Sequence, residues 1–234
     1  MSAGESLHET GRDGRERLYP SLSNPNWLVL TERRKLFRAW LSRIPGANLE
    51  VLDVGGRIQP YRSLLDGRLG RYLAVDLRPT PIVQVVATGE HLPLNENQFD
   101  LVLCTQVLEY VPELREAMKE IHRVLKPGGT LLLSVPAMFP ADSAQDLWRF
   151  TPASIGLLLS AFRNVEIRSE GSSIHGLFRT FALWIACFAR PTIVATLLRW
   201  TVIPALNLSA MGFAWAIPTN NDQFAANFSA FAIK

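Results

Sequence analysis

Phe99-Asp100-Leu101-Val102-Leu103-Cys104 is a continuous apolar run of strand length, and from about Pro112 to Leu125 the residues Leu114, Ala117, Met118, Ile121, Val124 and Leu125 recur on one helical face. Lys126-Pro127-Gly128-Gly129 ends that helix, because proline cannot continue it and glycine lets the chain reverse. Thr130-Leu131-Leu132-Leu133-Ser134-Val135 then runs back as a second apolar strand. Apolar strands joined by a crossover helix specify a parallel sheet covered on both faces. Toward the amino terminus, Leu49-Glu50-Val51-Leu52-Asp53-Val54, Arg71-Tyr72-Leu73-Ala74-Val75-Asp76 and Ile82-Val83-Gln84-Val85-Val86 read as three further strands separated by loops and crossover helices. Such a sheet takes ligands beyond the carboxyl ends of its strands, where Asp53, Asp76 and Gln106 fall.

The chain of 234 residues suits one main core with appended pieces. Its 48% hydrophobic and 19% charged content excludes global disorder, and a net charge of +3 gives no support to a nucleic-acid partner. Cys104, Cys187 and four histidines without HxxxH or CxxC spacing make no metal site, so no metal is expected. Residues 1–26 are polar, are punctuated by Gly11, Gly14, Pro20 and Pro25, and lack the pattern of a signal peptide. They read as a flexible tail on a cytoplasmic protein, ahead of one domain at 27–234. From Thr31 to Ile44 the spacing predicts an amphipathic helix with Arg33, Arg34, Lys35, Arg38 and Arg43 on a basic, solvated face.

Residues 174–217 depart from this pattern, being apolar nearly all round and interrupted by Arg179, Arg190-Pro191, Arg199 and Pro204. An apolar helical insertion here leaves three outcomes open: a lid packed on the sheet, a homodimer interface, or peripheral contact with a membrane through Trp184, Trp200 and Trp215. Phe224 to Ile233 then reads as a last strand returning to the sheet.

A glycine-containing loop after the first strand and an acid closing the second are the usual means of holding a nucleoside-type cofactor. Here these are Gly55-Gly56 and Asp76. Arg57, Ile58 and Gln59 fill the rest of the loop, so no GxGxxG phosphate cradle is present, and a cofactor without a pyrophosphate suits it better.

Thr88-Gly89-Glu90-His91-Leu92-Pro93, Phe99-Asp100, Val107-Leu108-Glu109-Tyr110-Val111 and Arg123-Val124-Leu125-Lys126-Pro127-Gly128-Gly129, with Val51-Leu52-Asp53-Val54-Gly55 before them, resemble the class I S-adenosylmethionine-dependent methyltransferases. The resemblance implies an α/β, Rossmann-like, doubly wound, seven-stranded sheet that is mostly parallel with an antiparallel last strand. It implies S-adenosylmethionine as cofactor, with Asp53, Gly55 and Gly56 facing its methionine part and Asp76 its ribose. Thr88 and Gly89 would then lie against its adenine, and Gln106 would line it. Asp146-Leu147-Trp148-Arg149-Phe150-Thr151-Pro152 and Pro60-Tyr61 are similar to bacterial members associated with glycan biosynthesis, which implies O-methylation of a small-molecule or glycan hydroxyl, at the inner face of the membrane if the apolar insertion binds there. Asp146, His175 and Tyr110 are the candidate general bases near the expected mouth, with Asp146 and His175 taken as the catalytic pair to test. Two rival readings stand beside this one: a non-catalytic scaffold that binds S-adenosylmethionine, suggested by Arg57 and Thr88 at positions where relatives carry glycine and an acid, and a nicotinamide-dependent oxidoreductase.

Overall fold

The computed structural model describes residues 3–141, 143–188, 193–217 and 221–234. Arg190-Pro191, expected to break the apolar insertion, lie outside the described residues. Two helices, α1 (Ala3–Leu18) and α2 (Trp27–Leu41), precede strands β1 (Leu49–Val54), β2 (Leu69–Asp76), β3 (Val85–Val86) and β4 (Phe99–Thr105). Helix α3 (Leu114–Val124), strand β5 (Leu125–Pro136), helix α4 (Pro152–Leu158), strand β6 (Arg163–Ser169), helices α5 (Ser173–Phe188) and α6 (Ile193–Ala216), and strand β7 (Asn227–Ile233) complete the chain.

The seven strands form one sheet in the order β3-β2-β1-β4-β5-β7-β6. β7 runs antiparallel to both β5 and β6, and the other pairings are parallel. Alternate residues of each central strand go to opposite faces, as a two-residue period requires. Leu52, Val102, Cys104, Leu131 and Leu133 meet α3 and α4 residues Ala117, Ile121 and Ile155 on one face. Val51, Leu101, Leu103 and Leu132 meet Phe37, Trp40 and Leu41 of α2 on the other. The expected doubly wound architecture is therefore present.

Local expectations differ in three places. Residues expected to be a loose tail include α1, whose Gly14 gives the reason it can dock: a Cβ there would lie 2.2 Å from the Ile58 carbonyl oxygen, so the helix rests directly on the loop after β1. Between β1 and β2 there is only a single 3-10 turn at Arg62–Leu65, and no helix separates β2 from β3, so the crossover helices expected there are replaced by short loops. Arg33, expected on a solvated basic face, is 1% exposed because it pairs with Glu170, Nε to Oε1 at 2.8 Å.

Candidate active site

β1 delivers the chain to Gly55, whose φ of +78° suits glycine, and the amides of Gly55 and Gly56 both donate to the Val75 carbonyl of β2 at 2.7 and 3.1 Å. A Cβ on Gly55 would lie 2.2 Å from Val107 Cγ2 and one on Gly56 2.8 Å from the Asp53 carbonyl oxygen, so neither position takes a side chain. Asp53 is buried beneath this turn, and its Oδ2 accepts the Tyr72 hydroxyl at 2.6 Å. Burial, reinforced by the charge of Asp76 and opposed by the Tyr72 hydrogen bond, pushes the Asp53 carboxyl up to about 7. In this arrangement Asp53 ties β1 to β2.

Asp76 is half-buried at the end of β2, where Oδ1 accepts the Arg78 amide at 2.8 Å and Oδ2 has no partner among the described residues. Thr88 and Gly89 follow β3, also half-buried, and Gly89 has only ordinary contacts around it, with Val54, Val111 and Ala117. Gln106 follows β4 in the left-handed region, φ +54°, an uncommon conformation for a side-chain-bearing residue. It is held there by its amide to the Ser134 carbonyl at 2.8 Å and by its side chain to Ser134 and Asn227, each at 3.3 Å. The sheet thus brings Asp53, Gly55, Gly56, Asp76, Thr88, Gly89 and Gln106 to one end, the carboxyl end of β1 to β4. A half-buried carboxylate with an open oxygen, beside this tight glycine turn, fits a nucleoside cofactor. The Arg57 side chain is exposed and forms part of the wall of the neighbouring cavity.

That cavity, of about 660 Å³, begins at Arg57, Ile58, Thr80 and Gln106 and extends under α1, α2 and α5. Asp146 is in its wall but is gripped by Arg149, Nη1 to Oδ1 at 2.5 Å and Nη2 to Oδ2 at 2.6 Å, while the Arg149 Nε donates to the Phe139 carbonyl at 3.0 Å. His175 is not in the wall; at the start of α5 its Nδ1 meets the Ser172 amide at 3.2 Å and hydroxyl at 3.0 Å, and burial lowers its pKa. Sequence reasoning singled out neither Glu109 nor the arginines Arg17 and Arg179, all of which line the cavity. Glu109 is 4% exposed, and its buried Oε2 has no hydrogen-bond partner among the described residues. Burial pushes its carboxyl up to about 7 against the pull of Arg33 and Arg17. The signal for Glu109 lay within Val107-Leu108-Glu109-Tyr110-Val111, but its burial depends on Leu147 and Trp148, whose amides donate to the Glu109 carbonyl at 2.7 and 3.2 Å.

Residues 52–133 match the family described as a methyltransferase domain. This segment is thus similar to a methyltransferase domain. Its match covers β1 to most of β5, the strands whose ends build the recess, and the cofactor of such domains is S-adenosylmethionine. Among curated relatives, the chain is 31% identical over 134 residues to the ubiquinone/menaquinone biosynthesis C-methyltransferase UbiE of Bartonella tribocorum, covering 48% of this chain and 52% of that one. It is 42% identical over 108 residues to the human mitochondrial arginine-hydroxylase NDUFAF5, covering 42% of this chain and 30% of that one. The chain therefore spans about half or less of the curated relatives it matches. A solved structure of Burkholderia thailandensis 1,6-didemethyltoxoflavin-N1-methyltransferase, bound to 1,6-didemethyltoxoflavin and S-adenosylhomocysteine, shares the fold, with a TM-score of 0.56 and 19% identity over 98% of this chain and 86% of that one.

Proposed function

We propose that the protein is an S-adenosylmethionine-dependent methyltransferase that methylates a hydroxyl of a small molecule or glycan, with Glu109 as the general base. The observation that carries this reading is a buried carboxylate, pushed up to about 7 and with an unpartnered oxygen, in a cavity that adjoins the glycine turn. When bound, S-adenosylmethionine supplies an electrophilic methyl group on a sulfonium and leaves as a neutral thioether. Asp76 would hold ribose hydroxyls through Oδ2, at the edge of the Gly55-Gly56 turn. Glu109 accepts the hydroxyl proton as the acceptor oxygen bonds to the methyl carbon, and a base poised near neutrality suits that task. Holding the two reactants in line at roughly 3–3.5 Å would supply much of the rate of such a transfer. The Arg149 grip removes Asp146 from the role of base and leaves it to fix the segment over the mouth.

The apolar hairpin of α5 and α6 supports a second element of the reading, contact with a membrane surface. Trp184, Trp200 and Trp215 are exposed, and α6 carries Arg199 as its only charged residue. By length and composition Ala195–Ala216 could cross a membrane, with 17% of its apolar window buried. Asn207, however, is buried and donates to the Leu22 and Asn24 carbonyls at 2.8 and 3.1 Å, which ties α6 to the domain and favours lying on the surface over spanning.

Transfer of labelled methyl from S-adenosylmethionine to a panel of phenols, hydroxylated quinones and saccharides, alongside their deoxy analogues, tests the reading. Transfer confined to hydroxyl-bearing acceptors is expected, rising with pH through about 7 and abolished in Glu109→Gln while cofactor binding persists. Transfer to the deoxy analogues, or an unchanged rate in Glu109→Gln, overturns it.

A further inference from the structure

The cavity wall carries Arg17, Arg33, Arg57, Arg149 and Arg179 beside Asp13, Glu16, Glu109 and Asp146, but not every one of these arginines is paired. Arg33 is paired with Glu170, and Arg149 with Asp146. Arg179, Arg17 and Arg57 have no carboxylate within ion-pair distance among the described residues. Arg179 is the most telling of the three. It is 2% exposed, yet its guanidinium finds only neutral partners: Nε donates to Asn26 Oδ1 at 2.9 Å, Nη1 to the Met138 carbonyl at 3.2 Å, and the plane sits 4.5 Å from the Phe139 ring centre. A fixed guanidinium of this kind, with Nη2 left over at a cavity wall, is a fork waiting for a planar or tetrahedral anion.

We propose that Arg179, in a cavity whose wall also carries Arg17 and Arg57, forms an anion-binding subsite for the methyl acceptor, so that the acceptor carries a phosphate or carboxylate group in addition to its hydroxyl. This rests on reading the cavity as the acceptor chamber. The same cavity wall holds the base and the anion site on different elements: Glu109 follows β4, whereas Arg179 comes from α5. An acceptor anchored at the arginines would be presented to Glu109 by its other end. Burial supports the assignment, since it lowers Arg179 to about 9, with Arg33 adding to the effect and Glu170 opposing it, and it also lowers Arg17. An anion would relieve both cations. The methionine carboxylate of the cofactor has the same chemistry, so the test must separate the two sources.

The probe is phenyl phosphate, titrated calorimetrically into the full chain already saturated with S-adenosylhomocysteine, with phenol as the neutral control. Saturable binding of phenyl phosphate but not phenol is expected, weakened about tenfold or more by Arg179→Gln, with affinity for S-adenosylhomocysteine unchanged. Arg57→Gln, on an exposed side chain whose replacement disturbs no packing, is expected to weaken phenyl phosphate in the same direction and keeps the test valid should Arg179→Gln not fold. Phenyl phosphate affinity equal in parent and variants overturns the subsite. So does its exclusion by bound S-adenosylhomocysteine, or a matching loss of S-adenosylhomocysteine affinity in the variants, either of which gives the arginines to the cofactor carboxylate. Failure of S-adenosylhomocysteine to bind the parent at all would instead defeat the methyltransferase reading.

Discussion

Asp53 and Glu109 are two buried carboxylates displaced in the same direction and set in different surroundings. Both are pushed up to about 7 by burial, but Asp53 has the Tyr72 hydroxyl against it and Glu109 has a buried oxygen with no partner among the described residues. An unfolded carboxylate titrates near about 4. Between that value and about 7 the folded state holds a proton that the unfolded state has lost, so each group makes the fold less stable as pH rises through this window. Asp53→Asn removes the titration and keeps an oxygen for Tyr72. The melting temperature of the variant should therefore fall less than that of the parent between pH 5 and pH 7.5, measured by scanning calorimetry; parallel curves would contradict the shift. The family resemblance implies that Asp53 faces the methionine part of the cofactor, while a strand-end Asp can equally serve to tie down the loop backbone. Which way the carboxylate faces was not legible, since Tyr72 reaches it only through the pairing of β1 with β2.

At the scale of elements, the central strands were readable because their burial on both faces leaves unbroken apolar runs. The short loops that replace crossover helices around β2 were not, because local pattern does not count helices. α1 was misread as a tail for a related reason: its polarity is that of a surface helix, and its docking depends on a Gly14 contact with the Ile58 carbonyl that no local pattern encodes. The insertion was legible as apolar, while its division into a tethered face and an open face was not. Ile203, Asn207 and Ala210 are buried at helical spacing, and Trp200, Leu208, Met211 and Trp215 are left outside. The surface reading predicts that the protein co-sediments with phosphatidylglycerol-containing vesicles and that Trp200→Ser with Trp215→Ser releases it, while the melting temperature is unchanged. Equal sedimentation of parent and variant would contradict that reading.

Across the whole molecule, one buried network joins the two ends of the chain behind the cavity. Glu170 Oε1 accepts Arg33 of α2 at 2.8 Å, Ser134 of β5 at 2.6 Å and Ser229 of β7 at 2.5 Å. Burial works against the Arg33 cation, but the charge of Glu170 and its hydrogen bond more than offset this and hold Arg33 above its ordinary value. Arg33→Met should cost about 3–5 kcal/mol in chemical denaturation, because it strands the Glu170 carboxylate, and adding Glu170→Gln should recover part of that loss. A cost under about 1 kcal/mol for the single variant would contradict the pairing. Such a network fixes α2, and with it the cavity roof, against the same sheet whose strand ends form the recess. The most direct test of that recess is a calorimetric titration of the full chain with S-adenosylhomocysteine. Saturable binding is predicted, with Asp76→Ala weakening it by about 1.5–3 kcal/mol; no binding up to about 1 mM, or equal affinity in parent and variant, would contradict the account.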